Sequence, residues 1–109
     1  MKPKIAISVG DLNGIGIEIA FKCHEKISQI CEPIYCINNK MLKKAANELK
    51  INIPNNFNTF KTKGDFDIKP ATVSKKAGRY SYDSFMDAIN LADKKEVDAI
   101  CTLPINKEA

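Results

Sequence analysis

The sequence predicts an α/β fold in which a mainly parallel sheet is flanked by helices. Short apolar runs that suit buried strands alternate with longer segments whose apolar residues recur at helical spacing. The first run, residues 4–9, leads directly into a glycine loop and a helix, and the last, residues 97–102, is stopped by Pro104. This alternation favours parallel strands joined by right-handed crossovers. At 109 residues, the chain is one domain at most.

The first half of the chain predicts two strands and two helices. The first helix is expected over residues 14–30, with an apolar stripe formed by Ile19, Ala20, Cys23, Ile27 and Ile30. Pro33 should end the helical region, and residues 34–37 should form the second strand. Asn38 or Asn39 is expected to cap the second helix. One face of that helix would be lined by Met41, Leu42, Ala45, Ala46 and Leu49.

The second half is less regular before its helix. Residues 57–61 and 66–68 are candidates for short strands, and Ser74 is expected to cap a third helix. The apolar face of that helix, predicted to lie in the core, would contain Tyr82, Phe85, Met86, Ile89 and Ala92. Residues 97–102 then read as a buried strand, because they are apolar along most of their length.

The positive charge does not indicate a nucleic-acid partner. The net charge is +4, but Arg79 is the only arginine among seventeen basic residues. Arginine is the residue usually used for bidentate recognition of bases and phosphates. The lysines occur largely beside helical patterns, which is typical of solvated faces. We therefore expect no nucleic-acid binding.

The cysteines and the hydropathy predict a cytoplasmic protein. Cys23, Cys31, Cys36 and Cys101 form no C-x-x-C pair and have no histidine at ligand spacing, which disfavours zinc and disulfides. Cys36 and Cys101 lie in apolar runs and are expected to be buried, reduced thiols. No apolar run approaches the roughly 18 residues of a membrane span, and the N-terminus lacks a secretory apolar region.

The loop after the first strand is the strongest candidate for a binding site. Gly10 breaks the strand, and Gly14 and Gly16 would let the backbone turn tightly and approach a ligand. A glycine loop that opens a helix at a strand's carboxyl end is where α/β folds bind small anions. The spacing fits neither G-x-G-x-x-G nor a P-loop. An anion or substrate site and a purely structural turn both remain open.

Each candidate residue of this loop has a structural alternative. Asp11 could hydrogen-bond loop amides or help to place substrate, or it could form an Asx turn. Gly14 and Gly16 could serve backbone conformation or allow contact with ligand or cofactor. Glu18 lies in the first helical turn, where its charge suits the helix dipole as well as any function.

A second group of candidates follows the last strand. Thr102, Asn106 and Lys107 lie at or beyond its carboxyl end, where α/β folds bind ligands. Lys107 could neutralise a phosphate or carboxylate, or it could be a solvated loop lysine. The first and last strands should lie side by side and parallel in the sheet, so the two loops should converge on one cleft. His24, the only histidine, is expected to be a surface or boundary residue.

Two stretches of the chain resemble a known family. GDLNGIGIE, residues 10–18, is similar to the GDPAGIGPE loop of the 4-hydroxythreonine-4-phosphate dehydrogenases of pyridoxal phosphate biosynthesis. Residues 73–109, which end in PINKEA, resemble that family's helix, strand and loop almost position for position. The resemblance implies an isocitrate/isopropylmalate dehydrogenase-like fold, of which residues 1–109 would be the N-terminal part. In the first loop, Leu12, Asn13 and Ile17 replace Pro, Ala and Pro, which should loosen it. Asn13 is expected to present a donor and an acceptor to the site.

The resemblance also implies an activity for the whole enzyme. It would oxidise 4-phosphonooxy-L-threonine, a small phosphorylated hydroxy amino acid, to a 2-amino-3-oxo acid that decarboxylates. NAD (or NADP) and a divalent metal such as zinc, magnesium or cobalt would be required, and the enzyme would be a homodimer. The three metal-binding histidines of the family are absent from residues 1–109, and His24 matches none of them. We therefore expect no catalytic residue or metal ligand in this segment, which would be inactive alone.

Two other functions remain open. A paralogue could oxidise a related 4-phosphorylated hydroxy acid, such as a threonate or erythronate phosphate. Alternatively, a non-catalytic α/β module could bind a small anion, if 109 residues is the natural length.

Overall fold

A computed structural model describes residues 2–104 and confirms the predicted α/β fold. Along this part of the chain, the elements are β1 (Lys4–Ser8), α1 (Gly16–Ile30), β2 (Glu32–Cys36), α2 (Asn39–Leu49), β3 (Thr59–Phe60), α3 (Lys75–Asp93) and β4 (Ala99–Thr102). The strands form one sheet in the order β3-β2-β1-β4, and every pairing is parallel. The first and last strands are therefore neighbours, as predicted, and their carboxyl ends lie at the same edge.

Helices pack on both faces of the sheet. Ile7 of β1 belongs to the larger apolar core, together with Phe21 of α1 and Met41 of α2. Ala6, whose side chain points to the opposite face, belongs to a smaller core with Ala88 of α3. The alternation along β1 thus divides the domain into three layers.

The second helix forms as its sequence predicts. Asn38 caps it, because its side-chain oxygen accepts a hydrogen bond of 2.8 Å from the backbone N–H of Met41. Of the predicted apolar face, Leu49 is partly buried against the core, and the fully buried members are Met41, Leu42, Ala45 and Ala46.

The first helix differs from the prediction in its start and in its buried face. It begins at Gly16 rather than at residue 14, and Ile30 is 73% exposed. The buried positions are Gly16, Ile17, Ala20, Phe21 and His24. These positions also recur at helical spacing. Because one of them is His24, a search for apolar residues alone selected a different face of the helix.

His24 is buried, and its prediction as a surface or boundary residue was wrong. The side chain is 1% exposed, and its Nδ1 lies 2.8 Å from the hydroxyl of Tyr35 in β2. Its Nε2 lies 3.0 Å from Oδ1 of Asn56 and 3.2 Å from the hydroxyl of Ser28. The ring centroid lies 4.9 Å from that of Phe57. Because both ring nitrogens have partners, the polar ring is accommodated in the core.

The short strands depart from their predicted limits. The second strand begins at Glu32 and includes Pro33, which was expected to precede it. Proline is tolerated at the beginning of a strand because few ladder bonds require its missing N–H there. The third strand is only two residues long, Thr59–Phe60, and residues 66–68 form no strand.

The third helix begins after Ser74, whose hydroxyl caps it as predicted, but it buries a different face. Tyr82 is 59% exposed and Phe85 only half-buried, so the expected core face was wrong. The buried positions are mostly small: Ala77, Tyr80, Ser81, Ser84, Ala88 and Leu91. Small side chains let the helix lie close to the sheet. Within residues 2–104, neither this helix nor another is long and apolar enough to cross a membrane.

The apolar sequence of the last strand suits burial, yet all four residues of β4 are exposed. Within residues 2–104 it is an edge strand that pairs only with β1, and although α3 lies near it, none of its four residues is buried. Cys101 is consequently exposed, contrary to the prediction, whereas Cys36 is buried as expected. Burial raises the pKa of the Cys36 thiol to about 12, so this thiol is unreactive.

Candidate functional site

The glycine loop meets the end of β4, as the sequence predicts. The backbone N–H of Leu103 donates to the carbonyl of Ser8 at 2.9 Å, which continues the β1–β4 pairing past Thr102. The N–H of Asp11 then donates to the carbonyl of Pro104 at 3.0 Å. The loop after β1 and the first residues after β4 therefore converge. Asn106 and Lys107 lie outside the described residues, so their roles stay predictions.

Two glycines make this convergence possible. Gly10 has φ +66°, and a Cβ atom there would lie 2.2 Å from the carbonyl oxygen of Pro104. A Cβ atom on Gly16 would lie 3.1 Å from Cβ of Leu103 and 3.2 Å from Cδ of Pro104. Gly14 is exposed, and its nearest neighbour would be the Asp11 carbonyl at 3.3 Å. Close approach at Gly10 and Gly16 thus serves the crossing of two chain segments.

Asp11 forms the Asx turn that was its structural alternative. Its Oδ1 accepts a hydrogen bond of 2.9 Å from the N–H of Asn13, and its carbonyl accepts one of 2.9 Å from Gly14. The residue is buried. Its carboxylate therefore shapes the loop.

Asn13 does not present its side chain to the site, so that expectation was wrong. Its Oδ1 accepts from the N–H of Lys69 at 2.8 Å, and its Nδ2 donates to the carbonyl of Thr72 at 3.0 Å. Its backbone carbonyl accepts from Ala71 at 2.8 Å. These bonds hold the loop to the turn that precedes α3 and counteract the loosening expected from the loss of two prolines.

The amino end of α1 has no side-chain cap. Its N-cap is Ile15, which is exposed and provides no side-chain hydrogen bond to the helix. Glu18 lies in the first turn and pairs with Lys22 at 2.7 Å on the exposed surface. The side chain of Ile15 therefore satisfies none of the first backbone N–H groups of the helix.

A cavity of about 260 Å³ lies beside the loop, but its chemistry does not suit an anion. Apolar side chains such as Leu12 and Ile17 line it, and its only charged lining residues are Glu18 and Glu48. A phosphate or carboxylate would be repelled there. An anion that uses this loop would have to approach from the side of β4.

The carboxyl end of β2 is already filled by side chains that sequence reasoning missed. Ser84 is fully buried, donates to the carbonyl of Cys36 at 2.6 Å and accepts from the N–H of Val9 at 3.0 Å. The Tyr80 hydroxyl accepts from the N–H of Asn38 at 3.1 Å, and burial raises its pKa to about 12. Two serines on α3, Ser81 and Ser84, were the signal available in the sequence. Space for a ligand at this edge is therefore left to the β1–β4 half.

The β1–β4 half contains exposed and unsatisfied polar groups. Thr102 is exposed and lies opposite Ser8 in the sheet register. Ser8 is fully buried, and its hydroxyl has no hydrogen-bond partner within residues 2–104. Ser8 was not among the predicted site residues, although it is a polar residue at the end of an apolar strand. In the described part of the chain, no three His, Cys, Asp or Glu side chains lie close enough together to bind a metal ion.

Comparison with known proteins gives a consistent result. The family model "Pyridoxal phosphate biosynthetic protein PdxA" matches residues 29–109. A 4-hydroxythreonine-4-phosphate dehydrogenase from Sulfurimonas denitrificans is 55% identical over 108 residues, which cover 99% of this chain and 35% of that protein. One from Helicobacter pylori is 43% identical over 120 residues, covering 99% of this chain and 37% of that protein. The chain thus spans about a third of the length of the curated relatives it matches.

The fold has solved counterparts. A crystal structure of a 4-hydroxythreonine-4-phosphate dehydrogenase from Burkholderia phymatum matches 99% of this chain and 38% of its own, with a TM-score of 0.84 and 26% identity. A terephthalate 1,2-cis-dihydrodiol dehydrogenase from Burkholderia xenovorans matches 92% of this chain and 33% of its own, with a TM-score of 0.69; at 21% identity it shows the fold alone. With the family model matching residues 29–109, the chain belongs to the pyridoxal phosphate biosynthetic protein PdxA family.

Proposed function

We propose that the chain is the N-terminal part of an enzyme that oxidises 4-phosphonooxy-L-threonine in pyridoxal phosphate biosynthesis. The observation that carries this proposal is the 55% identity, over 99% of the chain, to a relative named 4-hydroxythreonine-4-phosphate dehydrogenase. The secondary alcohol would become a ketone, and the resulting 2-amino-3-oxo acid would lose carbon dioxide. We further propose that the enzyme is a cytoplasmic homodimer.

In this proposal, the residues of this chain bind and orient the substrate. Lys107 would neutralise the phosphate or carboxylate, and Asn106 and Thr102 would provide hydrogen bonds beside it. Gly14 and the amino end of α1, which has no side-chain cap, would approach the same anion through backbone N–H groups. Asp11 and Gly16 would keep the two loops together. Holding both charged ends of the substrate would align its reacting carbon.

NAD (or NADP) would be the oxidant, and a divalent metal ion would polarise the substrate oxygen as a Lewis acid. Residues 2–104 do not form a metal site, because no three His, Cys, Asp or Glu side chains in this range lie close enough together to bind an ion. We therefore propose no metal ligand among residues 2–104 and derive no step through the metal.

The experiment is an assay of NADH formation by the complete protein with a divalent metal. We expect turnover of 4-phosphonooxy-L-threonine and none by residues 1–109 alone, since the described part lacks a metal site. The matched substrate control is 4-phosphoerythronate. Preference for that compound would establish the paralogue instead, and activity of the isolated segment would contradict the division of roles.

A further inference from the structure

Asn13 is the point at which the glycine loop joins the rest of the domain. The residue is 3% exposed, and all four of its polar groups are hydrogen-bonded. Its N–H binds within the loop, to the Asp11 carboxylate, whereas its other three groups bind the turn formed by residues 69–72. Because all polar groups of Asn13 are hydrogen-bonded, the residue fixes the distance between the glycine loop and the 69–72 turn.

The turn at residues 69–72 contains a strained residue and is bonded to Asn13 from outside. Thr72 N–H donates to the carbonyl of Lys69 at 3.2 Å, and Pro70 and Ala71 are the central residues. Ala71 has φ +60° and directly follows the proline at the second position of the turn; its own position prefers glycine or asparagine. An alanine in this conformation is strained. The hydrogen bond from its N–H to the Asn13 carbonyl, together with the two side-chain bonds of Asn13, opposes that strain.

The hydrogen bonds continue from this turn to the candidate site. Asn13 binds the Asp11 carboxylate, and Asp11 N–H binds the Pro104 carbonyl beyond β4. A displacement of the turn would therefore move Asn13 and then Asp11, and so alter the contact between the two loops. The 260 Å³ apolar cavity on one side of Asn13 leaves room for such a displacement.

We infer that Asn13 is a positioning residue, which sets the glycine loop against the end of β4 by anchoring it to the 69–72 turn. This inference rests on the proposed function only for the loop's role in binding. It implies that truncation of the Asn13 side chain loosens the glycine loop as well as the 69–72 turn that the side chain contacts.

The test is amide hydrogen–deuterium exchange of the intact chain, wild type against Asn13→Ala. In Asn13→Ala, the exchange rate of the amides of residue 13 and Gly14 is expected to rise about tenfold or more. The exchange rates of the Lys69 and Ala71 amides are expected to rise by a similar factor. The exchange rate of the Ile7 amide in β1 reports opening of the whole domain. The matched control variant is Asn90→Ala, because Asn90 is an exposed asparagine on α3. Asn13→Asp keeps the acceptor for Lys69 and loses the donor to Thr72, so its loop exchange should be intermediate.

Unchanged exchange at Gly14, with faster exchange confined to residues 69–72, would overturn the inference and leave Asn13 as a brace for the turn alone. If Asn13→Ala does not fold, the same comparison is made with Asn13→Asp. Because the readout requires no turnover, its failure is distinct from failure of the NADH assay.

Discussion

Gly10→Ala is expected to lower the free energy of unfolding by about 4 kcal/mol, the largest effect of any substitution considered. The residue has φ +66°, where an alanine is strained by about 1–2 kcal/mol. The added methyl group would also lie 2.2 Å from the Pro104 oxygen and 2.7 Å from that of Leu103. Both are backbone atoms, so relief would require β1 and the segment after β4 to separate.

Gly14→Ala is the matched control, because it adds the same methyl group to the same loop. Gly14 has no positive φ, and its closest neighbour would be 3.3 Å away. Its cost should be within about 1 kcal/mol. Urea denaturation of both variants measures the difference. Equal stabilities would mean that the two segments do not cross as closely as described.

His24→Ala is expected to cost about 3 kcal/mol. The substitution removes a ring that packs 4.9 Å from Phe57 and leaves a cavity in the core. It also removes the partner of the Tyr35 hydroxyl, which is buried and whose pKa burial raises. An unsatisfied hydroxyl and lost packing therefore act together.

Lys26→Ala, an exposed position on the same helix, provides the control and should change stability by no more than about 0.5 kcal/mol. Chemical denaturation followed by circular dichroism is the measurement. A His24→Ala protein as stable as Lys26→Ala would show that the ring is not part of the folded core.

The sequence predicted those elements whose local signals agree with their burial. In α2, an asparagine cap precedes an apolar face at helical spacing, and both signals are local. The parallel β1–β4 pairing followed from the alternation of strands and helices. The convergence of the two loops was confirmed for residues up to Pro104, because carboxyl ends of adjacent parallel strands meet at one edge.

Other features depend on contacts that distant residues create. The buried face of α3 was missed because Ser84 is polar in the sequence, and only its bonds to Val9 and Cys36 make it a core residue. His24 was missed for the same reason, since its partners Tyr35 and Asn56 lie 11 and 32 residues away in the sequence. The role of Asn13 depends on a turn 56 or more residues away. Apolar periodicity cannot reveal such polar contacts.

The most direct test of the central claim, that the loops after β1 and β4 bind an anionic substrate, is kcat/KM of the complete enzyme with Lys107→Ala. We predict a fall of about a hundredfold, since a charge that opposes the substrate's anion is lost. Stability should change by no more than about 0.5 kcal/mol. Lys43→Ala, an exposed lysine on α2, should leave both quantities unchanged. Wild-type kcat/KM in the Lys107→Ala enzyme would contradict the claim.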